Sequence, residues 1–242
     1  MVNLEPRTPK YVRVLSTLRQ RVEDGTYKPG AALPSENQLA TEFDVSRPTV
    51  LKALAYLKQD GWIESQQGKA NFVRGKPTAR RTVPPHAHGA LHLDEVTETE
   101  LLAVAPVLAD RRVASILAVP EGTPVYQRKR RTTAEEGAVD LVTVWLPIDV
   151  AAGSDATKAE PIAGSLLDHL AQRKSIRGDY AVEWTSARRP TADEAQLLDI
   201  AADEPVLAVT IAVHTARGDL VLAVDVVMPG NRHEIEDTYP LS

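Results

Sequence analysis

The chain has 242 residues, 43% of them hydrophobic and 25% charged, which is enough for a sizeable core in two globular domains. It contains no cysteine and no apolar run long enough to cross a bilayer, which excludes disulfides, thiolate chemistry and a membrane-spanning helix. The net charge of −5 argues against a nucleic-acid partner only until it is divided: residues 1–81 carry 14 Lys+Arg against 8 Asp+Glu, and the rest carry 14 against 25. A basic head on an acidic body points to a polyanion met by the head alone. Arg7, Lys10 and Arg13 interrupt every apolar stretch near Met1, so no signal peptide is expected and the expected location is cytoplasmic.

In chain order, Tyr11, Leu15, Leu18 and Val22 recur at helical spacing, which predicts a first helix closed by Gly25 and the Lys28-Pro29-Gly30 turn. Ser35 with Gln38 three residues on forms a capping box for a second helix, whose apolar side is Leu39, Ala40 and Phe43. After Asp44-Val45, Ser46 is the expected cap of a third helix. Pro48 is tolerated in its first turn, and Val50, Ala53, Leu54 and Leu57 form its buried stripe. Gly61 ends it. The segments 62–65 and 71–74 read as a short hairpin around a polar tip, Gln66-Gln67-Gly68-Lys69-Ala70.

From Lys76 to His92 the composition shifts to proline and loses periodicity, as expected of an interdomain linker. The expected domains are therefore 1–75 and 93–242, joined by 76–92. Within the second, a shift of 81 residues superposes Ala114 on Ala195, Leu117 on Leu198, Pro124-Val125 on Pro205-Val206, Gly137 on Gly218 and Leu141 on Leu222. Each copy reads as a helix, a strand, a turn and a second strand. The expectation is an α+β domain of two pseudo-equivalent halves around an antiparallel sheet, with an extra helix from Ser165 to Lys174.

Three helices and a hairpin within about 70 residues outline a winged helix-turn-helix. The residues that open the recognition helix are Ser46, Arg47, Pro48, Thr49 and Lys52. Arg47 can contact guanine or clamp phosphate with two N–H groups, and Thr49 can reach a phosphate or a thymine methyl. In the wing, Gln66, Gln67, Gly68 and Lys69 have the chemistry to enter a minor groove, with Gly68 permitting close backbone approach. The run from Gly25 through Ser35, Glu36 and Ala40, followed by Val45-Ser46-Arg47, Thr49-Val50, Leu57, Gly61, Gly68 and Phe72-Val73, resembles the GntR family of bacterial regulators. The resemblance covers residues 9–74. It implies binding to double-stranded DNA at a pseudo-palindromic operator as a homodimer, with Ser35 and Glu36 joining the DNA-binding set. Leu51 stands where the family usually has arginine, and Ala70 and Asn71 depart from its wing.

The Pro124-Val125 strand, Arg130, the Gly137 turn, Trp145-Leu146-Pro147 and the repeat over 195–226 are similar to the UTRA effector domain of the HutC branch, which shares its fold with chorismate lyase. The resemblance implies a small-molecule effector, with Arg130 holding an anionic group and Arg128, Thr132 and Asp225 beside it. Thr132 replaces a common second arginine, and Val142 and Val144 replace common polar residues, which points to a more apolar pocket. Read without the family, Arg128-Lys129-Arg130-Arg131 fits either a ligand-facing anion site or a solvated edge strand, and exposed charge is the commoner case.

Other signals have plainer readings. His86, His88 and His92 lie in the linker without the partners of a zinc site. Asp193 and Glu194 fit helix capping. No catalytic triad, P-loop or dinucleotide fingerprint occurs, so no metal, cofactor or enzymatic activity is expected. The expected function is a repressor released from its operator by an effector. The alternatives are a C-terminal domain that only dimerises or binds protein, and a chorismate-lyase-like enzyme.

Overall fold

The computed structural model describes residues 9–65, 70–77, 91, 99–135 and 137–235, which fall into two compact units. The N-terminal unit comprises α1 (Lys10–Glu23), α2 (Glu36–Phe43), α3 (Arg47–Gln59) and a hairpin of β1 (Ile63–Ser65) and β2 (Asn71–Val73). The apolar stripes read from the sequence are its core, with Leu18, Leu39, Val50 and Leu57 almost fully buried. The capping box at Ser35 forms with both of its hydrogen bonds. Asp44, at φ 50°, turns the chain out of α2 and lets α3 begin three residues later. Ser46 differs from expectation: it sits at the N-cap of α3, but its hydroxyl bonds the Thr49 hydroxyl at 2.8 Å instead of a backbone N–H. Ile63 pairs with Val73, and Ala32 bridges to Phe72, a further hairpin contact the sequence reading lacked. Around the rim, Arg19 pairs with Asp60 at 2.6 Å and Arg21 with Glu42, tying α1 to the ends of α3 and α2. The wing-tip residues Gln66, Gln67, Gly68 and Lys69 lie outside the described residues.

The C-terminal unit is built on a six-stranded antiparallel sheet: β3 (Thr99–Leu108), β4 (Pro124–Ala134), β5 (Gly137–Pro147), β6 (Tyr180–Arg188), β7 (Val206–His214) and β8 (Leu220–Pro229), in the spatial order β3-β4-β5-β8-β7-β6. Its helices are α4 (Arg111–Leu117), the short α5 (Ile148–Ala151), α6 (Leu166–Lys174) and α7 (Ala192–Leu198), with a 3₁₀ turn over 155–157. The 81-residue repeat is a repeat of structure. It carries α4 onto α7 residue for residue, and the left-handed C-cap Ala118 onto Asp199. It also carries the hairpin glycines onto each other, Gly137 at φ +113° and Gly218 at φ +90°, a region where only glycine is unstrained. Val107 pairs with Val125, and 81 residues on, Arg188 pairs with Val206. The halves meet at β5 and β8, where Thr143 faces Asp225 and Val144 faces Val224.

Two expectations change. Each repeat contains a strand before its helix, β3 or β6, so the unit is β-α-β-β. And β4 lies between β3 and β5, so the run Arg128–Arg131 is not an edge strand. Asp110 caps α4 by accepting from the Val113 N–H, at the position Thr191 holds before α7.

The sheet is covered on both faces. Val142, Val144, Ile211, Val224 and Val226 pack under α6, α5 and the 3₁₀ turn. On the other face α4 packs over Val125, Ala212 and Ala223, and α7 over Leu141, Val206 and Val227. Burial on both faces explains why β8 reads as a nearly unbroken apolar run rather than an alternating one. Leu91, near the end of the expected linker, is buried in the first of these cores, and Lys76, at its start, pairs with Glu23 of α1. Residues 78–90 lie outside the described ones.

Candidate nucleic-acid interface and ligand site

The first site lies where α2 and α3 begin. The capping box fixes the start of α2 and so places Glu36 in its first turn. The Glu36 carboxylate accepts from Arg47 Nε at 2.9 Å and Nη2 at 2.7 Å, which aims a guanidinium that is otherwise 62% exposed. An exposed pair of this kind adds about 0–1 kcal/mol to stability, so its effect is to orient Arg47 rather than to hold the fold. Pro48 is exposed in the same turn, with Thr49 beside it. Lys52 lies one turn on. Its ammonium sits 4.4 Å from the ring centre of Tyr11, which stacks on Tyr56 at 5.2 Å. The buried stripe of α3 faces inward, and Pro48, Leu51, Lys52 and Ala55 face out. Ser35, Glu36, Ser46, Arg47, Pro48, Thr49 and Lys52 are thus brought to the starts of two neighbouring helices.

The second site lies on β4 and β5. Alternate residues of a strand share a face, so Arg128, Arg130 and Thr132 lie on the face of Val142 and Val144. Arg128 is 2% exposed. Its Nη1 donates to the carbonyls of Ala156 (3.3 Å) and Lys158 (2.7 Å), and its Nη2 to Glu160 (2.7 Å), so it pins the 3₁₀ turn onto the sheet. Arg130 is 4% exposed. Directly opposite Thr132 stands Asp140, which the sequence reading missed, because the register set at the Gly137 turn shifts by one residue at a bulge between Thr133 and Thr132. Thr132 Oγ1 and Asp140 Oδ1 are both buried and make no hydrogen bond among the described residues. Buried polar atoms left this way cost about 1–3 kcal/mol each, and unsatisfied groups in native proteins are few.

Asp225 does not join this set. Its partner across β5 is Thr143, one residue from Val142, which puts it on the opposite face of the sheet from Arg130. There it is fully engaged. Arg112 donates to both of its oxygens at 2.6 Å, the Thr210 hydroxyl donates at 2.7 Å, and Trp145 Nε1 donates at 3.1 Å. The hydrogen bond to Asp225 raises the Arg112 pKa despite burial. The repeat places Asp193 where Arg112 stands and Lys129 where Thr210 stands, and these two also pair, at 2.5 Å. Each helix therefore clasps a strand of the other half, with the charges reversed. Asp193 and Glu194 follow their plain reading in part, since Glu194 completes the capping box of α7.

Among the described residues, no three His, Cys, Asp or Glu side chains gather to hold a metal, and no helix is long and apolar enough to cross a membrane. His86, His88 and His92 lie outside them.

Comparison with known proteins addresses both units. Residues 10–73 match the gntR family of bacterial regulatory proteins, and residues 92–234 match the UTRA domain. The histidine utilization repressor of Klebsiella aerogenes is 26% identical over 242 residues, covering 97% of this chain and 98% of that one. The mannosyl-D-glycerate transport/metabolism system repressor MngR of Escherichia coli is 28% identical over 203 residues, 82% of each chain. Among solved structures, PhnF from Mycobacterium smegmatis superposes with a TM-score of 0.51 at 25% identity, over 95% of this chain and 100% of that one. With both units matched, the chain belongs to the gntR family of bacterial regulatory proteins and carries a UTRA domain behind its DNA-binding head.

Proposed function

We propose that the chain is a repressor that holds a pseudo-palindromic operator as a homodimer and releases it when a small molecule binds the UTRA domain. That it is a DNA-binding transcriptional regulator, and not an enzyme, follows from the family. The histidine utilization repressor and MngR are both repressors of metabolic systems, which supports the same logic here. Arg47, poised by Glu36 at the start of α3, is the group for direct contact with a base edge or phosphate. Gln66, Gln67, Gly68 and Lys69 serve the wing. In this reading residues 1–75 form the DNA-binding domain, 76–92 the linker and 93–242 the effector and dimerisation domain, and the protein works in the cytoplasm with the chromosome.

The observation that carries the ligand-responsive part is the pair of buried, unbonded oxygens of Thr132 and Asp140 on the same sheet face as Arg130. Together they suit a compact ligand that offers hydroxyl or amine donors to Asp140 and an acceptor to Arg130, against the apolar wall of Val142 and Val144. Arg128 supports the site by holding the turn above it. A ligand shifts an equilibrium only through its different affinities for the two states, so binding here must favour a spacing of the two heads that does not match the operator. A thermal-shift screen of small polar metabolites on the full chain tests this. The expected result is stabilisation by one class of metabolite, lost in Thr132→Val and Asp140→Ala, with the same compound releasing DNA. Operator binding that no metabolite alters would favour a C-terminal domain that only dimerises.

A further inference from the structure

We propose that Leu51 is a specificity-determining residue that packs on the 5-methyl group of a thymine, so that each operator half-site carries a thymine within two base pairs of the base that Arg47 contacts. This rests on the reading of α3 as the recognition helix. Leu51 is 42% exposed on α3, among the few large apolar side chains of the described residues that solvent reaches. A lone exposed leucine is ordinary. This one is not on an arbitrary surface. It stands four residues after Arg47 and four before Ala55, and three after Pro48, so it lies between them on one side of the helix. Arg47, Pro48 and Ala55 are exposed as well, while Val50, Ala53, Leu54 and Leu57 turn the other side into the core. The outward surface of the helix therefore begins with one oriented guanidinium and continues as an apolar strip.

The major groove offers two kinds of feature: hydrogen-bonding base edges and the thymine methyl. Leucine can use only the second. Against guanine, adenine or cytosine it would cover a donor or acceptor without replacing its water, which costs free energy. Leu51 thus selects for thymine and against the other three bases at its position. Four residues of helix advance about 6 Å, between one and two base-pair steps, which sets the separation from the base under Arg47. Lys52, beside Leu51 and held over Tyr11, is placed for phosphate rather than for this base.

The test begins with selection of duplexes from a random pool by the full-length protein, followed by binding measurements on the selected site. In the wild-type site, replacing the proposed thymine by deoxyuridine removes one methyl group and leaves every hydrogen-bonding atom in place. Binding is expected to weaken roughly fourfold in each half-site. Leu51→Ala is expected to bind the thymine and deoxyuridine sites equally. Leu51→Arg is expected to select guanine at that position. Because Leu51 is exposed, both variants should keep the wild-type circular dichroism spectrum and thermal midpoint. Equal binding of wild type to the two sites, or a selected half-site with no thymine near the Arg47 base, overturns the proposal. A selected site that Arg47→Ala still binds fully, with methyl sensitivity absent, overturns the recognition-helix reading along with it.

Discussion

Single side chains divide here into those that hold the fold and those free to act. Arg47 is of the second kind: its carboxylate partner is Glu36, and the pair lies at the surface. Arg47→Ala is expected to leave the thermal midpoint within error and to cost about 1–3 kcal/mol of specific affinity per subunit, read by fluorescence anisotropy on operator against random duplex. Unchanged operator affinity would show that α3 is not the reading helix. His214 is of the first kind. It is buried at the end of β7, stacked on Tyr180 at 5.1 Å, and burial lowers its pKa from the ordinary 6.5 against the pull of the Ala212 carbonyl. The unfolded chain therefore binds more protons than the folded one as the pH falls below 6.5, so this contribution to stability is present above that pH and lost below it. His214→Phe should keep the stack and flatten part of the fall in melting temperature between about pH 7 and pH 5. An identical pH profile in the variant would remove His214 from that role.

At the scale of elements, the sequence made the three N-terminal helices legible because each announces itself twice, by an apolar stripe and by a turn or cap such as Ser35 with Gln38. The 81-residue repeat was legible for the same reason, through Gly137 and Gly218 and the helices between. The strands β3 and β6 were not. They are the sheet's edges, so their residues are only partly covered: β3 shows no clean alternation and ends on Leu108, 70% exposed, while β6 alternates only between half-buried Tyr180, Val182 and Trp184 and exposed neighbours, with no buried residue. Ser46 has the right residue type for a cap, but a neighbouring hydroxyl at Thr49 outcompetes the backbone N–H. The placing of Asp225 beside Arg130 failed for a geometric reason. Alternation along one strand says which residues share a face, but only the β5–β8 register says which faces of two strands coincide. Asp225 instead locks the two halves together. Asp225→Ala would leave Arg112, Trp145 and Thr210 without their shared acceptor, and the expected cost is about 1–3 kcal/mol in chemical denaturation. Effector affinity, measured below the unfolding transition, should hardly change. The opposite pattern, normal stability with lost effector affinity, would return Asp225 to the ligand site.

The whole molecule links a basic reading head to a sensing domain whose buried arginines face inward. If Arg130 contacts the effector, Arg130→Ala should yield a protein that binds operator as wild type does and is no longer released by inducer; lost operator affinity would point instead to a role in folding. A single winged helix reads few base pairs for a genome-wide search, which is the reason for proposing two copies on a two-fold repeat. Sequence-specific binding by a dimer through α3 can be measured by capturing sheared genomic DNA with the full-length protein and footprinting what is retained. A small set of fragments is expected, each protected over two inverted half-sites and each lost with Arg47→Ala. Retention of bulk DNA without an enriched sequence, or protection of a single asymmetric half-site that survives Arg47→Ala, would contradict it.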